Sequence, residues 1–294
     1  MNTSFNQQQD WHTAISDTDF RRLSEFVYAQ CGILMPLAKK RLLTNLMQER
    51  LHVVGIQSIK DYMDWVMGSE HSCEELDQFI DIVASREGRF FHEADHFEFL
   101  AQTALPEVIK HSGAGISRDF MIWNAGCGAG EEAYTLAIVL LEFSQHYPGI
   151  QFKTKVLATD LSSRLLGIAS EATYGMDKIS SVPLELKRRY FLKSKDPGKR
   201  LVRLTPEIRN MVSFRRLNML DAEFGLREQM DVIFCRDLIS HFDPATQNTL
   251  IHKVCRYLAP GGYLFLGHSE NLTNLRVPLL QSMPAIYQMP QQGL

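Results

Sequence analysis

Residues 120–143 read Phe120-Met121-Ile122-Trp123-Asn124-Ala125-Gly126-Cys127-Gly128-Ala129-Gly130-Glu131-Glu132-Ala133-Tyr134-Thr135-Leu136-Ala137-Ile138-Val139-Leu140-Leu141-Glu142-Phe143. The run after Asp119 is a short apolar segment of the kind that forms a buried parallel strand. From Glu131 to Phe143 the apolar residues follow a helical period. The glycines between them let backbone pass close to a ligand at a helix N-terminus. Strand, glycine turn and helix together predict an α/β domain that holds a nucleotide-like molecule.

A second strand, Lys153 to Ala158, runs into Thr159-Asp160. That puts a carboxylate at the C-terminal edge of a neighbouring parallel strand, where it can accept both hydroxyl protons of a ribose. A glycine turn with a downstream acid fits dinucleotide dehydrogenases and methyltransferases alike. Two features separate them. Glu131 and Glu132 at the helix start would repel a pyrophosphate but suit a cationic or uncharged ligand such as S-adenosylmethionine. The chain also closes with a strand at Met230–Arg236, a helix at Thr246–Leu258, an Ala259-Pro260-Gly261-Gly262 turn into a strand at Tyr263–Leu266, and a last strand near Pro284–Met289. A closing antiparallel hairpin of this kind ends the seven-stranded sheet of class I methyltransferases.

Upstream, the pattern is helical to about residue 80. Phe20, Leu23, Phe26 and Val27 follow a capping Asp17-Thr18-Asp19 start. In the next helix, from about Pro36 to His52, Leu42, Leu43, Leu46, Met47 and Leu51 share one side. Lys39, Lys40, Arg41 and Arg50 fall largely on the other, as a solvated surface or a docking face for an acidic partner. Ser85 to Glu93 places Phe90-Phe91 among charges and one glycine, which makes a better linker than core. Leu201–Leu204 and Met211–Phe214, around a basic loop at Lys193–Arg200, predict a small antiparallel insertion.

Composition narrows the function classes. With 31 Lys and Arg against 34 Asp and Glu, the net charge of −3 provides no global field for nucleic acid or anionic membrane. No stretch approaches the roughly 18 apolar residues of a membrane helix. The polar start lacks the regions of a secretion signal, so a cytosolic location is expected. The 5 cysteines, Cys31, Cys73, Cys127, Cys235 and Cys255, form no Cys-x-x-Cys pair and read as reduced thiols.

The sequence resembles the CheR family, the chemotaxis receptor glutamate methyltransferases. The match is carried by Phe90-Phe91-His92-Glu93, the Trp123–Tyr134 block, Ala158-Thr159-Asp160, Phe234–Asp243 and Gly267-His268-Ser269-Glu270-Asn271. The resemblance implies a helical N-terminal domain over residues 1–80 and a linker over the cofactor at 81–98. It implies a class I methyltransferase domain at 99–294 with a β insertion at about 185–217. It also implies S-adenosylmethionine as cofactor, S-adenosylhomocysteine as product, and glutamate side chains of methyl-accepting receptor helices as substrate.

Carried over by position, the family's cofactor contacts fall on the Gly126 and Gly128 turn and on Glu132 at the methionine end. They fall further on Asp160 at the ribose, Asn218 and Met219 near the adenine, and Arg236 with Asp237 beneath the site. Arg86, Gly88 and His92 stand where the family usually has Asn, Thr and Arg; Asp237 and His241 replace Asn and Tyr. His92 and His241 are the candidate catalytic residues, His241 to orient the incoming carboxylate and His92 to donate one hydrogen bond. The changed rim leaves open a catalytically silent binding module of the same fold, and a small-molecule methyltransferase is a further alternative. Family members that dock on a receptor's C-terminal pentapeptide carry a Gly-x-Gly in the insertion loop. Ser194-Lys195-Asp196 occupies that place here, so no pentapeptide tether is expected, and recognition would rest on the basic helix around Lys39, Arg41 and Arg50.

Overall fold

A computed structural model describes residues 15–68, 75, 78, 79, 81, 88–196 and 198–291. The chain divides into two compact units, Met1–Ala84 and Ser85–Leu294. No helix among the described residues is long and apolar enough to cross a membrane.

The first unit contains α1 (Asp17–Cys31), α2 (Lys40–Val54) and α3 (Ile59–Met67). The cap of α1 lies one residue earlier than the sequence pattern indicates, because the Ser16 hydroxyl accepts the Asp19 N–H at 3.0 Å. Gly32, at φ 70°, ends the helix in the left-handed conformation. Phe20, Leu23, Val27 and Cys31 form its buried stripe, and Leu43, Met47 and Leu51 form that of α2.

The basic face expected on α2 is only partly available. Arg50 makes two hydrogen bonds to the Glu75 carboxylate, at 2.9 and 2.6 Å, and Lys40 pairs with Asp17. Arg50 is therefore structural, since Glu75 is buried and would otherwise lack its cation. Tyr62 donates a further 2.6 Å bond to the same carboxylate.

The second unit is built on a seven-stranded sheet in the order β6-β2-β1-β7-β8-β10-β9. Its strands are β1 (Phe120–Ala125), β2 (Thr154–Asp160), β6 (Val212–Arg216), β7 (Met230–Phe234), β8 (Leu258–Phe265), β9 (Leu280–Met283) and β10 (Ile286–Gln288). The pairs from β6 through β8 are parallel, while β10 runs antiparallel to both β8 and β9. This is the class I methyltransferase arrangement expected from the closing hairpin. The helices are α4 (Ala94–Phe99), continued by a π turn into α5 (Leu105–Ser112), then α6 (Glu131–Gln145), α7 (Ser163–Glu171), α8 (Leu184–Tyr190), α9 (Pro206–Asn210) and α10 (Pro244–Cys255).

The β insertion differs from expectation in both bounds. Its sheet joins β3 (Thr173–Gly175), β5 (Leu201–Leu204) and β4 (Phe191–Lys193), so it begins before residue 185 and ends at 204. Met211–Phe214 is not part of it. That segment becomes β6, whose Val212 to Arg216 pair in parallel with Val156 to Asp160. Short alternating segments carry no mark of which sheet recruits them.

Phe90 also corrects the sequence reading, because it is core rather than linker filler. It is fully buried, with edge-to-face contacts to Tyr174 and Phe191 at 5.1 and 5.4 Å. Cys31, Cys127, Cys235 and Cys255 are buried free thiols, and Cys73 lies outside the described residues. Burial pushes the Cys127 thiol well up, which makes it a packing group.

Candidate cofactor and substrate site

The end of β1 turns through three glycines with left-handed backbones, Gly126 at φ 75°, Gly128 at φ 56° and Gly130 at φ 93°. The N–H groups of Gly126 and Cys127 donate to the Thr159 carbonyl, tying this turn to the end of β2. Gly128 donates to Asp160 Oδ2 at 2.8 Å, and Ser162 N–H donates to Oδ1 at 2.9 Å. Each carboxylate oxygen thus accepts a backbone N–H, which fixes the side chain at the C-terminal end of β2.

A Cβ on Gly128 would meet nothing within 4 Å, so the cradle beside Asp160 is open. At Gly130 the reason for glycine is different. A Cβ there would stand 2.9 Å from Ala169 Cβ and 3.1 Å from the Tyr174 hydroxyl, so this glycine lets α6 pack. Leu217 N–H donates to the Asp160 carbonyl at 2.9 Å, which brings Asn218 and Met219 to the same strand end. Asn218 Oδ1 accepts the Leu220 N–H at 3.0 Å, and Met219 is buried. Gly126, Gly128, Asp160, Asn218 and Met219 are therefore brought together, and they suit an adenosine.

Next to this cradle stands a buried charge chain. Arg236, 4% exposed, lies just beyond β7. Its Nη1 is 2.7 Å from Glu132 Oε2, and its Nη2 donates to Glu93 Oε2 at 2.7 Å and to the His92 carbonyl at 2.9 Å. Asn124 on β1 donates to Glu132 Oε1 at 2.7 Å. Burial would raise the Glu93 carboxyl, but the Arg236 guanidinium and the His268 N–H hold it below the usual carboxylate range. Arg236 is thus a brace between two carboxylates and the linker backbone. His92 joins the chain through its carbonyl, with its ring exposed.

A third group supports the loop after β7. Glu270 accepts N–H bonds from Asp237, Ser240 and Gly267, each at 2.9 Å. Asp237 adopts φ 52°, and a Cβ on Gly267 would stand 2.4 Å from its Oδ1. His241 ends the 3-10 turn Ile239–His241 on this loop and is half-buried. Gly88 lies over Glu131 rather than Glu132, since its Cβ would come 2.3 Å from Glu131 Oε2. Glu131 is buried, and burial raises its carboxyl. Arg86 lies outside the described residues.

Glu93, Glu270, His96 and His268 were missed as contributors by sequence reasoning. An acid next to the Phe90-Phe91 pair was the available signal for Glu93, since a buried carboxylate requires donors, and the polar block around Glu270 carried none. His96 is fully buried on α4, and burial with the nearby Arg236 charge lowers its pKa to about 4.

Known families and proteins match the chain along nearly its whole length. The CheR methyltransferase SAM-binding domain matches residues 86–284, and the CheR methyltransferase all-alpha domain matches residues 18–83. A chemotaxis protein methyltransferase of Borreliella burgdorferi is 33% identical over 287 residues, covering 98% of this chain and 99% of its own length. The Salmonella typhimurium protein of that name is 31% identical over 273 residues, covering 93% and 90%, and the Escherichia coli protein is 32% identical over 273 residues, covering 93% and 91%. With its helical first unit, its class I sheet and its match to both family models, the chain belongs to the CheR family of S-adenosylmethionine-dependent methyltransferases.

Proposed function

We propose that the protein methylates glutamate side chains of chemotaxis receptors in the cytoplasm, forming carboxyl methyl esters. The observation that carries this reading is the match to both CheR domains together with relatives named chemotaxis protein methyltransferases along nearly the whole chain. S-adenosylmethionine supplies an electrophilic methyl group on a sulfonium. Gly126, Gly128, Asp160, Asn218 and Met219 would hold its adenosine, and Glu132 and Asp237 would face its cationic end.

A glutamate carboxylate is already ionised at neutral pH, so the site has no proton to remove. What the chain must contribute is alignment of the carboxylate oxygen with the methyl carbon. His92 and His241 are the proposed orienting groups. Pentapeptide tethering is not part of this reading. In the loop after β4, Asp196 N–H already bonds to Ser194 Oγ at 3.1 Å and Gly198 N–H to Asp196 Oδ1 at 3.0 Å, which supports a closed local turn.

The test is transfer of labelled methyl from S-adenosylmethionine to a receptor cytoplasmic fragment, followed by mild alkali. Release of volatile methanol, lost when the receptor glutamates are replaced by alanine, is the expected result. Base-stable label, or no transfer by a protein that binds S-adenosylhomocysteine, would refute the assignment.

A further inference from the structure

His96 is fully buried, and neither ring nitrogen has a hydrogen-bond partner among the described residues. A buried imidazole left in this state carries an unrecovered desolvation cost, which calls for an explanation. Around it, one donor atom each of Glu93, His96 and His268 lies within 4.8 Å of the others. Glu93 Oε2 is 3.5 Å from His96 Nδ1, and Glu93 Oε1 is 3.6 Å from His268 Nδ1. Two ligands of a tetrahedral zinc ion with bonds of about 2.0–2.1 Å stand roughly 3.3–3.4 Å apart. Each histidine therefore stands from a Glu93 oxygen at close to the spacing of two ligands on one ion.

We propose that Glu93, His96 and His268 form a binding site for a divalent transition cation of the zinc class, with a remaining position open to water.

Three further observations support it. The other ring nitrogen of His268, Nε2, is 3.0 Å from Asp95 Oδ2, the outer carboxylate that orients a metal-bound histidine in many sites. The His268 side chain is 46% exposed, which gives an ion a route in. Glu93 holds a left-handed backbone at φ 55°, unfavourable for a residue with a Cβ and typical of side chains held for a purpose. Arg236 opposes a cation, since it sits 2.7 Å from Glu93 Oε2. That single guanidinium is shared by the carboxylates of Glu93 and Glu132, however, and Asp95 adds a further carboxylate beside His268, so the neighbourhood keeps a negative surplus. A bound ion would fasten the start of α4 to the Gly267-His268 turn after β8. Arg236 braces that same wall, which links the ion to the order of the cofactor site without placing it in the methyl transfer.

The full chain, stripped with a chelator, should take up about one Zn²⁺ per molecule in a calorimetric titration, and Co²⁺ should give the visible absorption of a low-coordinate site. His268→Ala, at a half-exposed position, should abolish the Co²⁺ spectrum and the stoichiometric uptake while the melting curve shows a folded protein. Asp95→Asn should weaken Zn²⁺ about 10–100-fold as an outer-partner loss. Absence of stoichiometric uptake by the parent overturns the proposal. Uptake undiminished in His268→Ala also overturns it, by assigning the ion to other histidines or to cysteines.

Discussion

The Arg236 guanidinium stands 2.7 Å from the Glu132 carboxylate, and both lie at the C-terminal end of the parallel strands. The contact couples the helix that follows the glycine turn to the loop after β7. Because the same guanidinium also bonds to Glu93, one buried cation orders two walls of the site.

Removing that cation should unfold more than it inactivates. Arg236→Ala leaves Glu93 and Glu132 facing each other without their shared partner, and breaking a buried pair in this way costs about 3–5 kcal/mol. Arg236→Lys should recover only part of this, since an ammonium cannot span both carboxylates and the His92 carbonyl. Urea denaturation checks it, and an Arg236→Ala midpoint equal to that of the parent contradicts the brace.

Asp160→Asn probes the cradle. The amide keeps the shape but offers one acceptor oxygen where the carboxylate offers two, and its NH₂ opposes the backbone donor from Gly128 or Ser162. Binding of S-adenosylhomocysteine should weaken by roughly 10–100-fold, the scale of a lost charge-assisted hydrogen bond. Titration calorimetry reads this directly, and unchanged affinity would remove Asp160 from the site.

Local patterns made the main sheet legible in the sequence. Phe120–Asn124, the glycine turn and Asp160 are short-range signals, each produced by neighbours in the chain. The charge network was not legible. Arg236 meets His92 and Glu93, which lie 144 and 143 residues away, and no spacing rule joins such positions. The same limit explains β6, a segment whose alternation suits an insertion hairpin but whose register with β2 is set by tertiary packing. It also explains Arg50, which a helical wheel assigns to a free basic face and Glu75 withdraws from it.

That withdrawal predicts a separation within α2. Arg50→Ala should destabilise the helical unit by about 1–3 kcal/mol, because among the described residues Glu75 then keeps the Tyr62 bond alone. Arg41→Glu, at an exposed position, should leave the melting temperature unchanged and reduce affinity for an acidic receptor fragment severalfold, more strongly at low salt. Equal receptor binding by Arg41→Glu and parent would exclude this face from docking.

Glu131 gives the pH-dependent prediction. Its carboxyl is raised by burial, and Oε2 has no hydrogen-bond partner among the described residues. The unfolded chain therefore releases this proton at lower pH than the folded one. Stability falls as pH rises from the ordinary carboxylate range through the raised value, and the full penalty is present above it. Glu131→Gln carries no such titration. Its melting temperature should match that of the parent in acid and exceed it increasingly toward neutral pH. Gly88→Ala should destabilise the parent, because its Cβ would stand 2.3 Å from Glu131 Oε2, and should cost less in a Glu131→Ala background, where that oxygen is gone. A pH-independent difference between Glu131→Gln and parent would show that the carboxyl titrates normally in the fold. An equal cost of Gly88→Ala in both backgrounds would show that the linker does not rest on it.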